Sequence, residues 1–168
     1  RRPVVAARCP GAPARTRLAK GCKGSFNLAR AEALGGTGVK HGRQRAGVAA
    51  AAVEDVSMGC ANPEGATGMN IARQIALMAG MPVTVSGLTV NRFCSSGLQT
   101  IALAAQRVIA GDGDVSVAGG VESISCVQQA IKTHIPQGHD LENRKPATDK
   151  MMLQDAEQVA THYDRSRA

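Results

Sequence analysis

The sequence predicts an α/β fold in which helices cover a mainly parallel sheet. Short β-branched runs at residues 53–60, 83–93 and 115–120 predict strands, and apolar residues at helical spacing lie between them. Strands and helices that alternate along a chain, with short connections, are typical of a parallel sheet that is covered on its faces.

The first strand and helix are predicted from "VEDVSMGC" (53–60) and "GMNIARQIALMAG" (68–80). The first run is β-branched and partly alternating, whereas the second has its larger apolar residues at helical spacing. These larger residues are Ile71, Ile75 and Met78. Gly80 stands where a glycine commonly follows a helix, and Pro82 prevents the helix from continuing.

The second half of the pattern begins with a strand at "VTVSGLTVNRF" (83–93). A helix is predicted from Ser95 to the turn "AGDGD" (110–114), followed by a buried strand at "VSVAGG" (115–120). The spacing gives this helix one apolar face. Its residues are Leu98, Ile101, Ala102, Ala105, Val108 and Ile109.

The flanking segments give weaker patterns. Residues 31–47 predict only a weak helix, because each glycine inside a helix costs up to about 1 kcal/mol relative to alanine. The glycines concerned are Gly35, Gly36, Gly38 and Gly42. Residues 133–150 are polar, contain proline and glycine, and predict a loop, while residues 151–164 predict a last helix.

The composition excludes several classes of protein. No run approaches the roughly 20 apolar residues of a membrane-spanning helix, and no apolar leader opens the chain, so we expect a soluble, non-secreted protein. Residues 1–31 hold eight of the 20 basic residues and none of the 13 acidic ones, so the other 12 basic residues nearly balance the acids. With 2% aromatic residues, stacking on nucleic acid is not expected. The basic start fits either a solvated terminus of a cytoplasmic protein or a mitochondrial presequence.

The five cysteines and four histidines show no metal-site or disulfide spacing. The cysteines are Cys9, Cys22, Cys60, Cys94 and Cys126, and their odd number favours reduced thiols. His134 and His139 lie five residues apart in the polar segment, where solvated side chains are expected. No metal is predicted.

Cys94 follows the second predicted strand and precedes a helix, in "TVNRFCSSGL" (89–98). Ligands of α/β sheets collect at such junctions, and a helix start favours a thiolate and can stabilise a developing oxyanion. Ser95 and Ser96 are expected to cap the helix, and Gly97 to let another backbone approach. From placement alone, a buried and inert thiol remains the alternative.

The segments "NRFCSSGLQTIALAAQRVIAG" and "VSVAGGVESIS" resemble the nucleophile region of the thiolases, the acetyl-CoA acetyltransferase and 3-ketoacyl-CoA thiolase family. "ARTRLAKGCKGSFN" (14–27), "VEDVSMGCANPEGATGMNIAR" (53–73) and "MMLQDAEQVATHYDRSR" (151–167) resemble it in the expected order. The resemblance implies a thiolase-like layered α/β fold. It comprises an irregular basic segment at 1–13, an amino-terminal half-fold with a mainly parallel mixed sheet at 14–122, and the beginning of the loop domain at 123–168.

The resemblance also implies acyl transfer to or from coenzyme A. Cys94 would accept the acyl group, with its own backbone N–H in an oxyanion hole, and pass it to coenzyme A or to the enolate of acetyl-CoA. The coenzyme A thioester is the substrate, no cofactor is covalently bound, and a homo-oligomer without nucleic-acid or membrane partners is expected. Met152 stands near a methionine-glycine pair that lies by the acyl pocket in the family, although Leu153 replaces the glycine.

Departures from the family leave a second hypothesis open. The family's later GHP histidine, NEAF-like asparagine and CxGGG cysteine have no counterpart here, so we expect an amino-terminal fragment that is a non-catalytic folding or dimerisation module. "EGATGMN" (64–70) could cradle a phosphate, but a glycine turn is favoured. For Glu122 a structural hydrogen-bonding role is favoured over that of a base, and Cys126 is not assigned catalysis.

Overall fold

The computed structural model describes residues 12–127, 143–145 and 152–166. Residues 12–127 belong to one compact unit, and the other two ranges belong to a second. Cys9, His134, His139 and nearly all of the predicted loop lie outside the described residues. The predicted domain boundaries remain predictions.

A three-stranded parallel sheet forms the centre of the first unit and confirms the predicted fold class. Its strands are β1 (Asp55–Gly59), β2 (Ser86–Val90) and β3 (Ser116–Gly120), in the order β2-β1-β3. Asp55 is paired with Ser86 on one side and with Ser116 on the other. Every residue of the central strand is buried, whereas β3 is mostly half-buried and not fully buried as predicted. The second strand is shorter than the predicted 83–93, because the chain turns at Phe93.

Helices and short 3-10 turns lie before, between and after these strands. In the first unit they are α1 (Ala31–Arg45), α2 (Ile71–Met78), α3 (Ser96–Ala110), α4 (Ile124–Val127) and the turns Ala50–Ala52 and Gly65–Thr67. Ile71 and Ile75 are fully buried beside β1, but Met78 of the predicted face is exposed. Gly80 has φ +77°, so it ends the second helix as predicted.

The first helix lies within the predicted residues 31–47 and is more regular than its glycines predicted. It runs for 15 residues, and Gly35 and Gly36 are buried against α2. A side chain at Gly35 would place its Cβ 2.7 Å from Cγ1 of Ile75, and one at Gly36 would place it 3.0 Å from Cγ of Met78. The two glycines therefore allow the close packing of two helices, which offsets their unfavourable helix propensity.

The third helix buries a different face from the predicted one. Its buried residues are Ser96, Thr100 and Ala104. On the predicted apolar face, Leu98 is 71% exposed, Ile101 48% and Ile109 63%. The Thr100 hydroxyl donates to the Gly119 carbonyl oxygen at 2.7 Å, so this helix lies directly on the strand backbone. At that distance only small side chains fit between helix and strands, and the larger apolar ones are turned away.

The second unit contains the predicted last helix, α5 (Met152–His162). Ala160 on its predicted apolar face is half-buried, whereas Leu153 and Val159 are exposed. No helix within the described residues is long and apolar enough to cross a membrane.

Candidate functional site

The carboxyl ends of the three parallel strands bring three polar segments to one edge of the sheet. Cys60 follows β1, Cys94 lies in the turn after β2, and Glu122 lies two residues after β3. Hydrogen bonds continue beyond the strands, from the Cys60 N–H to the Val90 carbonyl oxygen at 3.0 Å and from the Val121 N–H to that of Gly59 at 2.9 Å. This edge is where ligands collect in α/β sheets.

Cys94 lies on a tight turn between β2 and α3. Phe93, directly before it, has φ +43°, a left-handed conformation that residues other than glycine rarely adopt. The Ser95 N–H donates to the Arg92 carbonyl oxygen at 3.1 Å and closes the turn. The thiol of Cys94 is exposed and takes part in no disulfide. The structure thus places Cys94 at the predicted strand–helix junction, and not in the core.

The two serines after Cys94 do not cap the helix as predicted. The Ser95 hydroxyl donates to the Arg92 carbonyl oxygen at 2.9 Å, and the Ser96 hydroxyl accepts from the Arg92 N–H at 2.8 Å. Both side chains bind the preceding turn because the left-handed residue brings its backbone within their reach. Within the described residues, no acceptor lies opposite the backbone N–H groups of Cys94, Gly97 and Leu98. Such N–H groups can stabilise an oxyanion.

Glycines allow the start of α3 to lie on the strand ends. A Cβ at Gly59 would overlap the backbone of Ser96 and Gly97, and a Cβ at Gly120 would lie 3.1 Å from the Gly97 Cα. A Cβ at Gly97 itself would make an ordinary contact, 3.5 Å from the Gly120 Cα. The predicted close approach at Gly97 is present, but the residue that requires glycine most is Gly59.

Glu122 joins the end of the third strand to the loop after the first. Its carboxylate accepts hydrogen bonds from the Ala61 N–H at 2.7 Å and from the Asn62 side chain at 3.5 Å. This arrangement agrees with the favoured structural role. Sequence reasoning did not identify Asn91, whose Nδ2 donates to the Ala61 carbonyl oxygen at 3.1 Å. An asparagine two residues before a turn residue is the signal that could have found it.

Cys60 is the second thiol at this edge and has a different environment. It is buried, and its sulfur lies 3.8 Å from a carboxylate oxygen of Glu122. Burial, followed by the nearby negative charge of Glu122, raises the pKa of the Cys60 thiol. A protonated thiol in such a place is a poor nucleophile. Of the two thiols, Cys94 is the better candidate.

The other predicted sites are structural or belong to the second unit. The Cys126 thiol faces the Asn27 carbonyl oxygen at 3.4 Å. The segment 64–70 forms a turn before α2, in which the buried Thr67 hydroxyl donates to the carbonyl oxygens of Asn62 and Glu64. Met152 begins α5 and is 74% exposed. Among the described residues, no cluster of histidine, cysteine or acidic side chains could hold a metal ion.

A family profile and individual relatives of known name all indicate similarity to thiolases. The sequence profile of the family described as "Thiolase, N-terminal domain" matches residues 12–168. The chain is 43% identical over 155 residues to a 3-ketoacyl-CoA thiolase of Bacillus subtilis (strain 168), an alignment that covers 92% of this chain and 39% of that protein. It is 52% identical over 73 residues to the 3-oxoadipyl-CoA/3-oxo-5,6-dehydrosuberyl-CoA thiolase of Escherichia coli (strain K12), covering 44% of this chain and 18% of that one. This chain therefore spans about two fifths of the length of the Bacillus relative.

Proposed function

We propose that this chain, which belongs to the thiolase family, takes part in acyl transfer to or from coenzyme A, with Cys94 as the residue that accepts the acyl group. Its relatives are named for 3-ketoacyl-CoA and 3-oxoadipyl-CoA, and thioesters of this class are the proposed substrates. The observation that carries the proposal is the exposed Cys94 thiol on a left-handed turn, beside backbone N–H groups for which the described residues offer no acceptor.

The proposed step is a transfer between two sulfur atoms. The Cys94 thiolate attacks the carbonyl carbon of acetyl-CoA, a sulfur–carbon bond forms, and the bond from that carbon to the coenzyme A sulfur breaks. Coenzyme A leaves as a thiolate, so no oxidant or reductant is needed. The Cys94 N–H stabilises the negative charge that develops on the carbonyl oxygen. It lies just before α3, near the positive end of the helix dipole.

Acylation of the chain itself tests this proposal. We expect that incubation with acetyl-CoA, followed by peptide mass spectrometry, will find one acetyl group on the peptide containing Cys94. Cys94→Ala removes the modification, whereas Cys22→Ala, which removes another exposed thiol, leaves it in place. Acetyl groups spread over several cysteines, or retained in Cys94→Ala, would contradict the proposal.

Met152 is proposed as a contact of the acyl group. In the second unit it begins α5 with an exposed side chain, as a substrate contact requires. Met152→Ala is expected to weaken the binding of a longer 3-ketoacyl-CoA to the chain more than the binding of acetyl-CoA. An equal change for both thioesters would contradict a contact with the acyl chain.

Exposed apolar side chains favour a second candidate, a folding or dimerisation module without catalysis of its own. Leu98 and Ile101 are exposed on α3, and Leu88 is exposed on β2, an edge strand of the described sheet. Apolar surface on an edge strand promotes association between copies of a chain. Light scattering after size-exclusion chromatography is expected to show a homo-oligomer. Association without acylation of Cys94 supports the module alone, and a monomer at all concentrations contradicts it.

A further inference from the structure

Besides the Ser95 hydroxyl, which donates to the Arg92 carbonyl oxygen, two side chains that take no part in the proposed chemistry bind the backbone on either side of Phe93. We propose that Ser96 and Asn91 are positioning residues, which hold Phe93 in its left-handed conformation and thereby place the Cys94 thiol for attack. This inference rests on the proposed function of Cys94. Its consequence is measurable on the thiol itself.

Phe93 requires such restraint because its backbone conformation is sterically unfavourable. At φ +43° the Cβ of a residue other than glycine lies too close to the following carbonyl group. A bulky residue keeps such a conformation only where surrounding interactions enforce it. The Phe93 side chain is exposed, so the restraint must come from hydrogen bonds to the backbone of the turn.

Ser96 binds the turn on both sides of Phe93. Its hydroxyl accepts from the Arg92 N–H at 2.8 Å and donates to the Phe93 carbonyl oxygen at 2.6 Å. The Ser96 side chain is buried at the start of α3, where the helix lies on the strand ends. The hydroxyl therefore connects the turn to a closely packed part of the unit.

Asn91 binds the remaining polar group of Phe93. Its Oδ1 accepts from the Phe93 N–H at 2.9 Å, which forms an asparagine turn, while its Nδ2 donates to the Ala61 carbonyl oxygen at 3.1 Å. The Ala61 N–H in turn donates to Glu122 at 2.7 Å. Three successive hydrogen bonds therefore link the turn after β2 to the ends of the other two strands.

These contacts fix the N–H and the carbonyl oxygen of Phe93 and the N–H of Arg92. With the peptide groups on both sides of Phe93 held in place, the side chain of the next residue, Cys94, is directed one way. Nucleophilic attack depends on this direction, since small misplacements of a reacting atom lower the rate strongly. Loss of the Ser96 or the Asn91 side chain should therefore lower the reaction rate of the Cys94 thiol while the chain remains folded.

The test compares Ser96→Ala with Thr100→Val. Each change removes one buried hydroxyl from α3, and that of Thr100 lies within hydrogen-bond distance of two carbonyl oxygens, of Gly97 and Gly119. The rates of Cys94 acetylation by acetyl-CoA, and of alkylation at Cys94 relative to Cys22 in the same molecule, are measured by mass spectrometry. We expect Ser96→Ala to lower both by about tenfold. Thr100→Val should lower the melting temperature comparably and leave both within about twofold of the parent chain.

A second pair of variants provides rescue at an exposed position. Asn91→Ala is expected to lower the Cys94-to-Cys22 ratio, and Asn91→Ser to recover most of it, because a serine hydroxyl can accept from the N–H two residues on. A purely structural role would not separate these two variants, whose side chains are both small. If Ser96→Ala does not fold, the two Asn91 variants alone test the positioning role.

The outcomes separate this inference from the proposed function. Unchanged Cys94 rates in Ser96→Ala and Asn91→Ala, with a parent chain that is acetylated at Cys94, overturn the positioning role and leave the proposed function standing. A parent chain that takes no acetyl group, but whose Cys94 alkylation falls in both variants, overturns the proposed function and supports the positioning role.

Discussion

Cys60 and Cys94 both lie beyond the carboxyl end of a parallel strand, yet their environments are opposite. Cys60 directly follows the central strand, is buried, and faces the Glu122 carboxylate. Cys94 lies four residues beyond the edge strand and is exposed. The difference follows from what the chain does next: it folds into a loop held by Glu122 in one case, and turns sharply into α3 in the other. The carboxyl end of a strand is thus insufficient to define a reactive thiol.

The largest expected effect comes from Gly59, which precedes Cys60 and lies against the start of α3. In Gly59→Ala the new Cβ overlaps the backbone of Ser96 and Gly97, so the buried start of α3 must shift to make room for it. We expect the free energy of unfolding in urea to fall by roughly 3 kcal/mol or more. The displaced helix start should also abolish the difference in reactivity between the Cys60 and Cys94 thiols.

Gly38→Ala is the matched control. Gly38 lies inside α1, and the nearest atom to its added Cβ is 4.0 Å away. Because alanine is the better helix former, this variant should be stabilised by up to about 1 kcal/mol. Equal effects of the two substitutions would show that α3 does not depend on a glycine in β1.

The second prediction concerns reactivity in the unaltered chain. Cys94 should be alkylated by iodoacetamide about 100-fold faster than Cys60, whose labelling requires local opening and whose thiol pKa is raised. The alkylation rate of Cys94 should also exceed that of Cys22, which is exposed too but does not directly precede a helix, and that of Cys126, which is half-buried. Peptide mass spectrometry of a time course measures all four. Equal rates would refute the placement argument.

A smaller effect is expected from Glu122→Gln. The amide accepts at one atom only, so the bond from the Ala61 N–H or that from Asn62 is weakened, and about 1–3 kcal/mol of unfolding free energy should be lost. Loss of the negative charge removes one cause of the raised pKa of Cys60, so the alkylation of Cys60 should become faster. Burial should still keep its alkylation rate below that of Cys94. Slower alkylation of Cys60 would contradict the assigned electrostatics.

The smallest effect is the pH dependence that Cys60 confers on stability. Because its folded-state pKa is raised, the folded chain binds this proton more tightly than the unfolded chain. Its contribution is complete below the unfolded thiol pKa of about 8.5 and is lost as the pH rises through the folded pKa. Cys60→Ser, which keeps a hydrogen-bond donor but does not titrate here, should lose less stability between about pH 8 and 10. If the free energy of unfolding depends on pH in the same way in the parent chain and in Cys60→Ser, then Cys60 is not the group that causes this dependence.

Much of the fold could be predicted from the sequence. The strands and helices appear in the predicted order, and Gly80 ends the second helix, because residue periodicity and turn chemistry are local properties. The face of α3 could not be predicted this way. Periodicity identified the larger apolar residues, but the helix buries Ser96 and Thr100, because the surface that it meets is bare strand backbone.

The same division holds for the candidate site. The α/β order, the membership of the thiolase family and the place of Cys94 between a strand and a helix could all be predicted from the sequence, since each depends on consecutive residues. The burial of Cys60, and the contacts by which Asn91 and Glu122 connect three strand ends, became evident only in the folded structure. These properties depend on distances between segments up to 62 residues apart, which no local pattern encodes.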